Sequence, residues 1–303
     1  MKKIIKAIKN PFWACGVILR FISPVINNDR LFISLEYFFA RKRILHLNNP
    51  RRFNEKLQWL KLHCIHDEYT NLVDKYEVKQ IVADKIGQDY IIPTLGVWNR
   101  FEEIDFDSLP DSFVLKCTHD SGGLVICTNK NELDKKKARK KIERCLRRKY
   151  FYQHREYPYR NVKPRIIAEK YMSDESGWQL KDYKVFCFNG EPRFIEVDYD
   201  RYVGHKLNVY DLDWNFVDFY MTSPNDRSVH IQKPTRLDEM IGLAKVLSKN
   251  TEFVRVDFYS INDRLYFGEL TFHPGSGLID FHPDKYDYIL GDMLILPINN
   301  RIS

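Results

Sequence analysis

The sequence lacks most of the short motifs that reveal a protein's chemistry at once. Neither a P-loop (G-x-x-x-x-G-K-[ST]) nor a G-x-G-x-x-G loop occurs, which excludes P-loop nucleotide binding and gives no support to a dinucleotide-binding or protein-kinase loop. The six cysteines form no C-x-x-C pair, which argues against a zinc ribbon or redox motif and favours reduced thiols in a cytoplasmic protein. No segment reaches the roughly 20 apolar residues of a membrane span.

What the sequence does contain is the composition of an ordinary folded protein. Hydrophobic residues make up 44% of the chain and charged residues 29%, as in soluble globular proteins. With 20 Phe and 18 Tyr, extended disorder is not expected. At 303 residues the chain can bury a sizeable core and form two or three lobes.

The positive charge is concentrated at one end of the chain. Residues 1–60 contain 12 Lys/Arg against 3 Asp/Glu, a balance of +9, whereas the rest of the chain has a balance of −2. This argues against a nucleic-acid groove along the main body and favours a terminal segment that meets an anionic surface. Within residues 1–9 the isoleucines fall on one face of a helix and the lysines on the other. The pattern fits a peripheral helix on the inner membrane leaflet, or equally a basic helix that packs on the protein itself.

The spacing of apolar residues predicts helices mixed with hairpin-forming strands, and therefore an α+β fold. The dipeptide Asn189-Gly190 predicts a tight hairpin turn, and one helix has a candidate N-cap at Thr70 and a stop at Gly87. Helices are expected within residues 1–50 and at 53–63, 70–86, 131–149 and 236–247. Strands are expected at 113–117, 124–127, 165–170, 183–188, 192–197, 205–210 and 215–220, and within 252–271.

Two acidic residues, Asp257 and Glu269, lie on the apolar strands of the last predicted hairpin, with a turn at 260–263 between them. Pairing of these strands would bring both carboxylates to one face, and Arg255, two residues before the first acid, would share that face. Two carboxylates beside an arginine suit a site that holds Mg²⁺ against phosphate. The alternative is a hairpin with two solvent-facing acids.

A lysine, Lys116, lies at the end of the buried strand 113–117 and just before a glycine-bearing loop. A buried strand rarely carries a lysine unless its ammonium group meets a charge at the mouth of a cleft. The loop, with Ser121, Gly122 and Gly123, has backbone amides that could wrap phosphate oxygens. The pattern favours a nucleotide phosphate as the partner of Lys116, and the alternative is a lysine that reaches from the strand end into water.

The segment 166–172 (IIAEKYM) is an apolar strand that runs into polar and aromatic residues. Glu169 could accept a hydrogen bond from the amino group of a nucleotide base, with Tyr171 and Met172 lining an apolar slot for the ring. The alternative is a buried strand that ends in a surface ion pair. A later lysine, Lys184, could point into the same cleft or out to water, and alone it decides nothing.

These features follow one another in the order of a known enzyme superfamily. The stretches DKY…PTLGVW, VLKCTHDSGG, IIAEKYM, DYKVFCFNGEP and RVDFY…GELTFHPGSG resemble the ATP-grasp enzymes, and most closely the TupA-like branch named for teichuronopeptide biosynthesis. The layout is similar to that of D-alanine–D-alanine ligases. The resemblance covers about residues 53–290, so residues 1–50 lie outside it.

The resemblance implies an ATP-grasp fold, in which the nucleotide is held between two lobes of mostly antiparallel sheet. We therefore expect a basic helical segment at 1–50 and a catalytic domain at 51–303. Within that domain it implies an N-terminal lobe at 51–110, a central ATP lobe at 111–175 and a C-terminal metal-binding lobe at 176–303.

The resemblance also implies which residues bind ATP. Either Asp174 or Glu175 would meet the ribose, since the spacing fits both. The phosphates would be held by Lys75, Lys116, Lys184 and the closing loop of Ser121, Gly122 and Gly123. The adenine would be held by Glu169 and Lys170 on the base edge and by Tyr171 and Met172 at the hinge.

For the metal site the resemblance implies Asp257 and Glu269 as the Mg²⁺ carboxylates. It places Arg255 beside the transferred γ-phosphate, so that Arg255 and Lys116 are the expected catalytic residues. One position departs from the family pattern, because grasp ligases commonly have an asparagine two residues after the second acid and this chain has Thr271 there. A threonine hydroxyl can still ligate Mg²⁺ or hold a water, so the departure leaves open the number of metal ions rather than the nucleotide site.

The activity implied by the resemblance is ATP-dependent joining of a carboxylate to an amine through an acyl phosphate, acting on a bacterial cell-surface polysaccharide. The expected cofactors and partners are ATP, Mg²⁺ and saccharide-linked substrates, without nucleic acid. One rival is a glycosyltransferase that uses Asp211-Leu212-Asp213 as a metal site, although such a segment between strands also makes a turn. Another is a polymer-binding module whose basic residues 135–149 dock an anionic polymer, and the alternative there is a solvated charged face.

Overall fold

The structure, a computed structural model, describes residues 10–174, 180–199 and 204–297. Antiparallel sheets and the helices packed on them build this part of the chain, which confirms the predicted α+β class. The helices are α1 (Pro11–Ile22), α2 (Asp29–Arg41), α3 (Phe53–His63), α4 (Tyr69–Val73), α5 (Glu77–Ile86), α6 (Lys135–Leu146), α7 (Phe151–His154), α8 (Leu237–Ser248) and α9 (Lys285–Met293). The strands are β1 (Thr94–Trp98), β2 (Phe113–Cys117), β3 (Leu124–Cys127), β4 (Ile166–Lys170), β5 (Asp182–Phe188), β6 (Glu191–Tyr199), β7 (Lys206–Tyr210), β8 (Phe216–Val217), β9 (Tyr220–Met221), β10 (Phe253–Ile261), β11 (Arg264–Thr271) and β12 (Phe281–His282).

One sheet has four strands in the order β1-β4-β2-β3. The apolar face of β2 packs against α6, with Leu115 and Ile142 fully buried in the shared core. Helix α6 is shorter than the predicted 131–149, because the carboxylate of Asp134 caps it by accepting the amide N–H of Lys137 (2.9 Å). This sheet fixes the position of Lys116 on β2.

The other main sheet has six strands in the order β11-β10-β5-β6-β7-β8, and its two faces differ in chemistry. On one face, apolar residues of β5, β6 and β10 pack against α8. On the opposite face, strand pairing places Glu269 beside Asp257, Asp257 beside Lys184, and Lys184 beside Glu196. A row of charged residues therefore crosses four neighbouring strands.

The prediction of one helix over 70–86 is wrong, because the chain forms two helices there, α4 and α5. Asp74 between them is extended, and its Oδ1 accepts the amide N–H of Tyr76 (2.8 Å) at the start of α5. The amide N–H of Lys75 donates to the carbonyl oxygen of Thr118 (3.2 Å) rather than to a helical carbonyl. A distant loop thus replaces a helical hydrogen bond, and the break brings Lys75 beside that loop.

Most of the other predicted ends and turns are confirmed. Gly87 ends α5 with a φ of 109°, and Asn189-Gly190 joins β5 to β6 with φ values of 50° and 82°. The turn of the last hairpin narrows to Asn262-Asp263, whose φ values of 48° and 59° suit a two-residue turn. The N-cap predicted at Thr70 is wrong, because α4 begins one residue earlier, at Tyr69.

The segment Asp211-Leu212-Asp213 forms a turn after β7. Oδ1 of Asp211 accepts the amide N–H groups of Asp213 (3.0 Å) and Asn215 (2.7 Å), which confirms the prediction of a turn. The strand predicted at 215–220 is only partly correct, because the chain is extended in β8 and β9 and interrupted between them.

The N-terminal helices α1 and α2 are fastened to the rest of the chain by one buried arginine. Arg155 is 2% exposed, and its guanidinium donates to the hydroxyl and the carbonyl oxygen of Ser23 (2.7 Å each) and to the carbonyl oxygen of Ile26 (2.8 Å). It also pairs with Asp29 at the start of α2 (2.7 Å). These bonds satisfy backbone groups between the two helices and give the helices a fixed seat.

The residues on either side of Arg155 hold other parts of the chain. Nδ1 of His154 lies 2.8 Å from Oε1 of Glu36 on α2. The carboxylate of Glu156 accepts a hydrogen bond from the hydroxyl of Ser276 (2.6 Å), which lies shortly after β11. Three consecutive residues therefore connect α1, α2 and the loop that follows β11.

Neither a membrane-spanning helix nor a disulfide is present in the part of the chain that the structure describes. No helix there is long and apolar enough to cross a membrane. All six cysteines lie within the described residues, and none of them forms a disulfide there.

Candidate active site

The two acids of the last hairpin meet at an arginine. Asp257 on β10 and Glu269 on β11 are paired residues, so their side chains share one face of the sheet. Arg255 binds Asp257 through two hydrogen bonds, Nε to Oδ1 (2.7 Å) and Nη2 to Oδ2 (2.6 Å), and its Nη2 also lies 3.4 Å from Oε1 of Glu269. The register shifts here at Gly268, where a Cβ would come within 3.0 Å of the carbonyl oxygen of Asp257. The two carboxylates share one face, as expected, but the bulge rather than the turn puts Glu269 opposite Asp257 and beside Arg255.

Thr271, at the position that departs from the family pattern, belongs to the same cluster. Its hydroxyl accepts a hydrogen bond from Nη2 of Arg255 (3.1 Å) and donates one to Oε1 of Glu269 (3.2 Å). Carboxylate and hydroxyl oxygens are ligands that Mg²⁺ accepts. The donor set therefore fits Mg²⁺, on the condition that Arg255 releases Asp257.

Burial and neighbouring charges set the ionisation of the two acids differently. Burial raises the pKa of Asp257 to about 8 against the pull of Arg255, and Asp182 and Glu269 act in the same direction as burial. Partial burial also works to raise the pKa of Glu269, but Lys75 and Arg255 outweigh it and leave this pKa below its ordinary value. Lys75 and Glu269 line the same cavity, so the positive charge of Lys75 lies near this carboxylate.

Two lysines converge on Glu169, which lies on β4. Nζ of Lys116 lies 2.6 Å from Oε2 of Glu169, and Lys79 of α5 pairs with the other oxygen. Burial opposes ionisation of this carboxylate, yet the two lysines lower the pKa of Glu169 to about 2. Lys116 is therefore engaged with a buried charge rather than extended into water. The bond from Glu169 to an adenine amino group stays a prediction.

Lys79 is a site residue that the sequence reasoning missed. It lies in the first turn of α5, four residues after Lys75, and its Nζ also donates to the carbonyl oxygen of Ile92 (2.6 Å). The repeat of two lysines at a spacing of four, next to the start of a helix, is the signal from which Lys79 could have been selected.

A small cavity separates the lysines from the acids. It has a volume of about 40 Å³, and its walls include Lys75, Lys116 and Glu169 on one side and Gly268 and Glu269 on the other. One water needs about 30 Å³, whereas small-molecule sites measure on the order of 300–1,000 Å³. The paired side chains fill this space, so a nucleotide would have to displace them.

The loop between β2 and β3 is fixed at its ends and exposed in its middle. Asp120 is held by Nη1 of Arg148, which lies 3.0 and 2.9 Å from its two carboxylate oxygens. Gly123 is packed so tightly that a Cβ there would come within 2.6 Å of Sγ of Cys117. Ser121 and Gly122 between these anchors are exposed to solvent. The predicted phosphate loop is thus short and exposed in its middle, and it follows directly on the strand that carries Lys116.

The residues predicted to surround the adenine lie where β4 ends. Lys170 is exposed, and Tyr171 and Met172 are half-buried. The amide N–H of Lys170 donates to the carbonyl oxygen of Pro93 (3.0 Å), which ties this end of β4 to the segment before β1. Their contact with a base stays a prediction.

Of the two residues predicted for the ribose, the structure describes Asp174. Asp174 is buried and pairs with Nζ of Lys181 (3.2 Å). Glu175 lies outside the described residues.

Lys184 is buried in the charged row rather than directed into water. Its Nζ lies 3.1 Å from Oε1 of Glu196 and also pairs with Asp198. Burial works to lower the pKa of Lys184, but Glu196 and the neighbouring aspartates raise it. Sequence reasoning missed Glu196 and Asp198, although Asp182-x-Lys184 and Glu196-x-Asp198 on paired strands show the alternation that puts them on one face.

Comparison with known proteins identifies what this chain is similar to. A family model described as TupA-like ATPgrasp matches residues 55–295. A crystal structure of D-alanine–D-alanine ligase from Bacillus anthracis complexed with ATP shares 15% identity, with a TM-score of 0.45, over 89% of this chain and 81% of that one. A second crystal structure of that ligase shares 14% identity over 73% and 66% of the two chains, with a TM-score of 0.41. The ATP-grasp ligase PsnB, complexed with minimal precursor, Mg and ADP, shares 10% identity over 79% and 64%, with a TM-score of 0.40.

This chain spans slightly less than two thirds of the length of two of these structures, 66% and 64%. No curated protein matches the sequence.

Proposed function

The chain belongs to the TupA-like ATP-grasp family, and we propose that it is an ATP-dependent ligase that joins a carboxylate to an amine. The observation that carries this proposal is that Glu269, paired with Asp257, faces Lys75 and Lys116 across the space between the two sheets. An acidic wall suits Mg²⁺ and a wall of lysines suits phosphate, so a nucleoside triphosphate with its metal fits between them.

Asp257, Glu269 and Thr271 hold the metal in this proposal. When bound there, Mg²⁺ would neutralise the phosphates and orient them for transfer. Arg255 releases Asp257 and turns its guanidinium to the transferred γ-phosphate, where two parallel N–H donors match phosphate oxygens. In this site Thr271 contacts the metal directly or holds a water that does.

The lysines change partners when the nucleotide enters. Lys116 leaves Glu169 for a phosphate oxygen, Lys75 supplies a second positive charge, and Glu169 stays paired with Lys79. Lys184 adds positive potential beside Asp257. Electrostatic stabilisation by fixed charges at a dry site is the main way in which proteins accelerate phosphoryl transfer.

The rest of the nucleotide lies along the end of β4. Lys170 and Glu169 approach the base edge, Tyr171 and Met172 form the hinge, and Asp174 or Glu175 binds the ribose. Ser121, Gly122 and Gly123 close over the phosphates.

The chemistry runs in two steps. An oxygen of the substrate carboxylate attacks the γ-phosphorus of ATP, ADP leaves, and an acyl phosphate forms. The nitrogen of the amine then attacks the acyl carbon, phosphate leaves, and the nitrogen loses a proton to give an amide. The loop at 121–123 excludes water, because hydrolysis of the acyl phosphate would consume ATP without forming product.

We further propose that the substrate is linked to a bacterial cell-surface polysaccharide and that the protein works in the cytoplasm at the inner membrane leaflet. The resemblance to the branch named for teichuronopeptide biosynthesis supports the first part. The second is supported by an apolar face on α1 and just after it, where Ile18, Phe21 and Val25 are 60%, 86% and 78% exposed, in a strongly basic part of the chain.

The proposal is tested by measuring ADP release from purified protein with Mg²⁺, ATP and panels of carboxylates and amines. Asp257→Asn should reduce ADP release by about a hundredfold or more, because one metal ligand loses its charge. Asp211→Asn is the matched control and should leave the rate unchanged, since Asp211 only holds an exposed turn. Sugar transfer from a nucleotide-sugar without ADP release, lost in Asp211→Asn, would instead establish the glycosyltransferase.

A further inference from the structure

A second cavity, separate from the one between the sheets, lies where the N-terminal helices meet the body of the protein. Its volume is about 760 Å³, within the range of small-molecule sites. Residues of α2, of the chain between α2 and α3, and of α9 line it, and none of them lines the space between Lys116 and Glu269. We propose that this cavity binds a phosphoryl-bearing ligand of about the size of a sugar phosphate.

Four arginines line this cavity, which we call the arginine pocket: Arg30, Arg43, Arg51 and Arg52. Among its lining residues, all of which the structure describes, Glu55 is the one carboxylate. Oε2 of Glu55 accepts the amide N–H groups of Arg51 (3.0 Å) and Arg52 (3.1 Å), so it caps the start of α3. Asp284 and Asp287, which lie outside the lining, neutralise part of the charge of Arg43 and Arg52, and an anion would relieve the positive charge that remains.

Two of the arginines are held in place before any ligand arrives. Nη1 of Arg43 lies 2.7 Å from Oδ1 of Asp284, and Nη1 of Arg52 lies 3.0 Å from Oδ2 of the same carboxylate. The guanidinium of Arg52 also stacks 4.0 Å from the centre of the Tyr288 ring. Sharing one carboxylate brings these guanidinium groups close together, and their fixed geometry lowers the cost of binding a bidentate anion.

The other two arginines supply the charge that remains unneutralised. Neither Arg30 nor Arg51 has a carboxylate within ion-pair distance among the residues that the structure describes, and both side chains are exposed. Nη2 of Arg30 instead donates to Oδ1 of Asn48 (3.3 Å), which directs its guanidinium along the pocket wall. A planar guanidinium group has parallel N–H donors that match two oxygens of a phosphoryl group.

The rest of the wall indicates what the phosphoryl group is attached to. Ser34, Asn48 and Asn49 contribute hydroxyl and amide groups, which both donate and accept hydrogen bonds. Neutral polar groups of this kind suit the hydroxyls of a sugar, and the volume leaves room for one beside the phosphate. This inference does not depend on the ligase reaction, because the two cavities share no lining residue.

The proposal is tested by calorimetric titration of the full chain with glucose 1-phosphate. Glucose, which lacks the phosphate, is the control ligand. The phosphate should bind and glucose should not. Arg30→Gln/Arg51→Gln should weaken binding by about tenfold for each arginine removed, since each loses hydrogen bonds to a charged group. The double variant should fold, because both side chains are exposed and lack a carboxylate partner among the described residues.

Two control variants locate the site. Arg193→Gln removes an exposed arginine on β6 and should leave the affinity unchanged. Lys75→Gln alters the space between the sheets and should also leave the affinity for glucose 1-phosphate unchanged. A failure of the arginine-pocket proposal can therefore be told apart from a failure of the ligase proposal. The proposal is overturned if glucose 1-phosphate does not bind at millimolar concentration, if glucose binds as well, if the double variant binds like the wild type, or if Lys75→Gln abolishes binding.

Discussion

At the scale of single residues, Glu169 organises the lysine side of the candidate site. Its side chain is 7% exposed, and those of its partners Lys79 and Lys116 are 13% and 22% exposed. Two ammonium groups so close together in a poorly solvated place repel each other unless a carboxylate lies between them. Glu169 therefore holds both lysines in position, and the phosphates of a nucleotide would compete with it for Lys116.

Replacing that carboxylate tests this account. Glu169→Gln should lower the free energy of unfolding by about 3 kcal/mol, because the amide leaves two half-buried lysines without a counter-charge. The pKa of Glu169 is lowered from an ordinary 4.5 to about 2, so its contribution is present above about pH 4.5 and is lost as the pH falls toward 2. Urea unfolding at several pH values should therefore show a difference between wild type and variant that shrinks on acidification.

A surface ion pair provides the comparison for that experiment. Glu191 pairs with Lys245 (2.8 Å), but their side chains are 49% and 59% exposed. Glu191→Gln should leave unfolding unchanged within error, since water and salt screen such pairs. A Glu169→Gln effect that is equally small, or that does not vary with pH, would contradict the assigned role.

At the scale of elements, the loop between β2 and β3 combines accessibility with a tight anchor. Around Gly123 the loop backbone lies so close to β2 that Cys117 and Cys145 leave no room for a side chain. At Gly122 the nearest atom to an added Cβ is Nη1 of Arg148, the movable end of a long side chain, at 3.4 Å. Neighbouring glycines in one loop thus meet different constraints.

The two glycines provide a matched pair of variants. Gly123→Ala should lower the free energy of unfolding by about 1–3 kcal/mol, because the added methyl group overlaps Sγ of Cys117. Gly122→Ala should leave it almost unchanged, since the added methyl group would meet Nη1 of Arg148 at 3.4 Å, close to ordinary van der Waals contact. Urea unfolding curves of the two variants decide the matter, and equal stability of both would show that the loop yields more easily than its packing indicates.

The last hairpin and the break between α4 and α5 show which features of the elements the sequence does not determine. The pairing of Asp257 with Glu269 is not set by the turn alone, because the register from Asn262-Asp263 would put Asp257 opposite Gly268. The bulge at Gly268, which the sequence analysis did not predict, moves Glu269 opposite Asp257. The break between α4 and α5 could not be predicted from the sequence, since the residues at 70–86 carry a helical pattern throughout. What interrupts it is the carbonyl group of Thr118, far away in the sequence, which takes the amide N–H of Lys75. The pairing of Lys79 with Glu169 escaped for the same reason, because it depends on how α5 packs against β4.

At the scale of the whole molecule, the family resemblance drawn from short stretches is confirmed over residues 55–295. Those stretches could be recognised because metal and phosphate chemistry permits few residue types at each position. The N-terminal helices lie outside them, and residues 1–9, where the amphipathic pattern of lysines and isoleucines falls, lie outside the described residues. The arginine pocket was not predicted either: its arginines all lie within the basic residues 30–52, but the cavity depends on how α2 and α9 pack around them.

Membrane contact by the N-terminal helices is a prediction at this scale. Ile18→Ser/Phe21→Ser should weaken binding to phosphatidylglycerol vesicles by about tenfold or more, because two exposed apolar side chains no longer enter the lipid. Co-sedimentation measures the bound fraction. Val246→Ser on α8, where the side chain is 46% exposed, is the control and should bind like the wild type. Equal sedimentation of the double variant and the wild type would contradict membrane contact through α1.

The hydrogen bonds of Arg155 to the segment between α1 and α2 affect how these helices unfold locally. Terminal helices of many proteins detach at little cost, in small fluctuations that precede global unfolding. Here detachment of α1 and α2 would strand a guanidinium that Ser23, Ile26 and Asp29 now satisfy, in a pocket from which water is nearly excluded. The two helices are therefore set to exchange their amide protons with solvent almost as slowly as the core, and to resist proteases between α1 and α2 until the whole fold gives way.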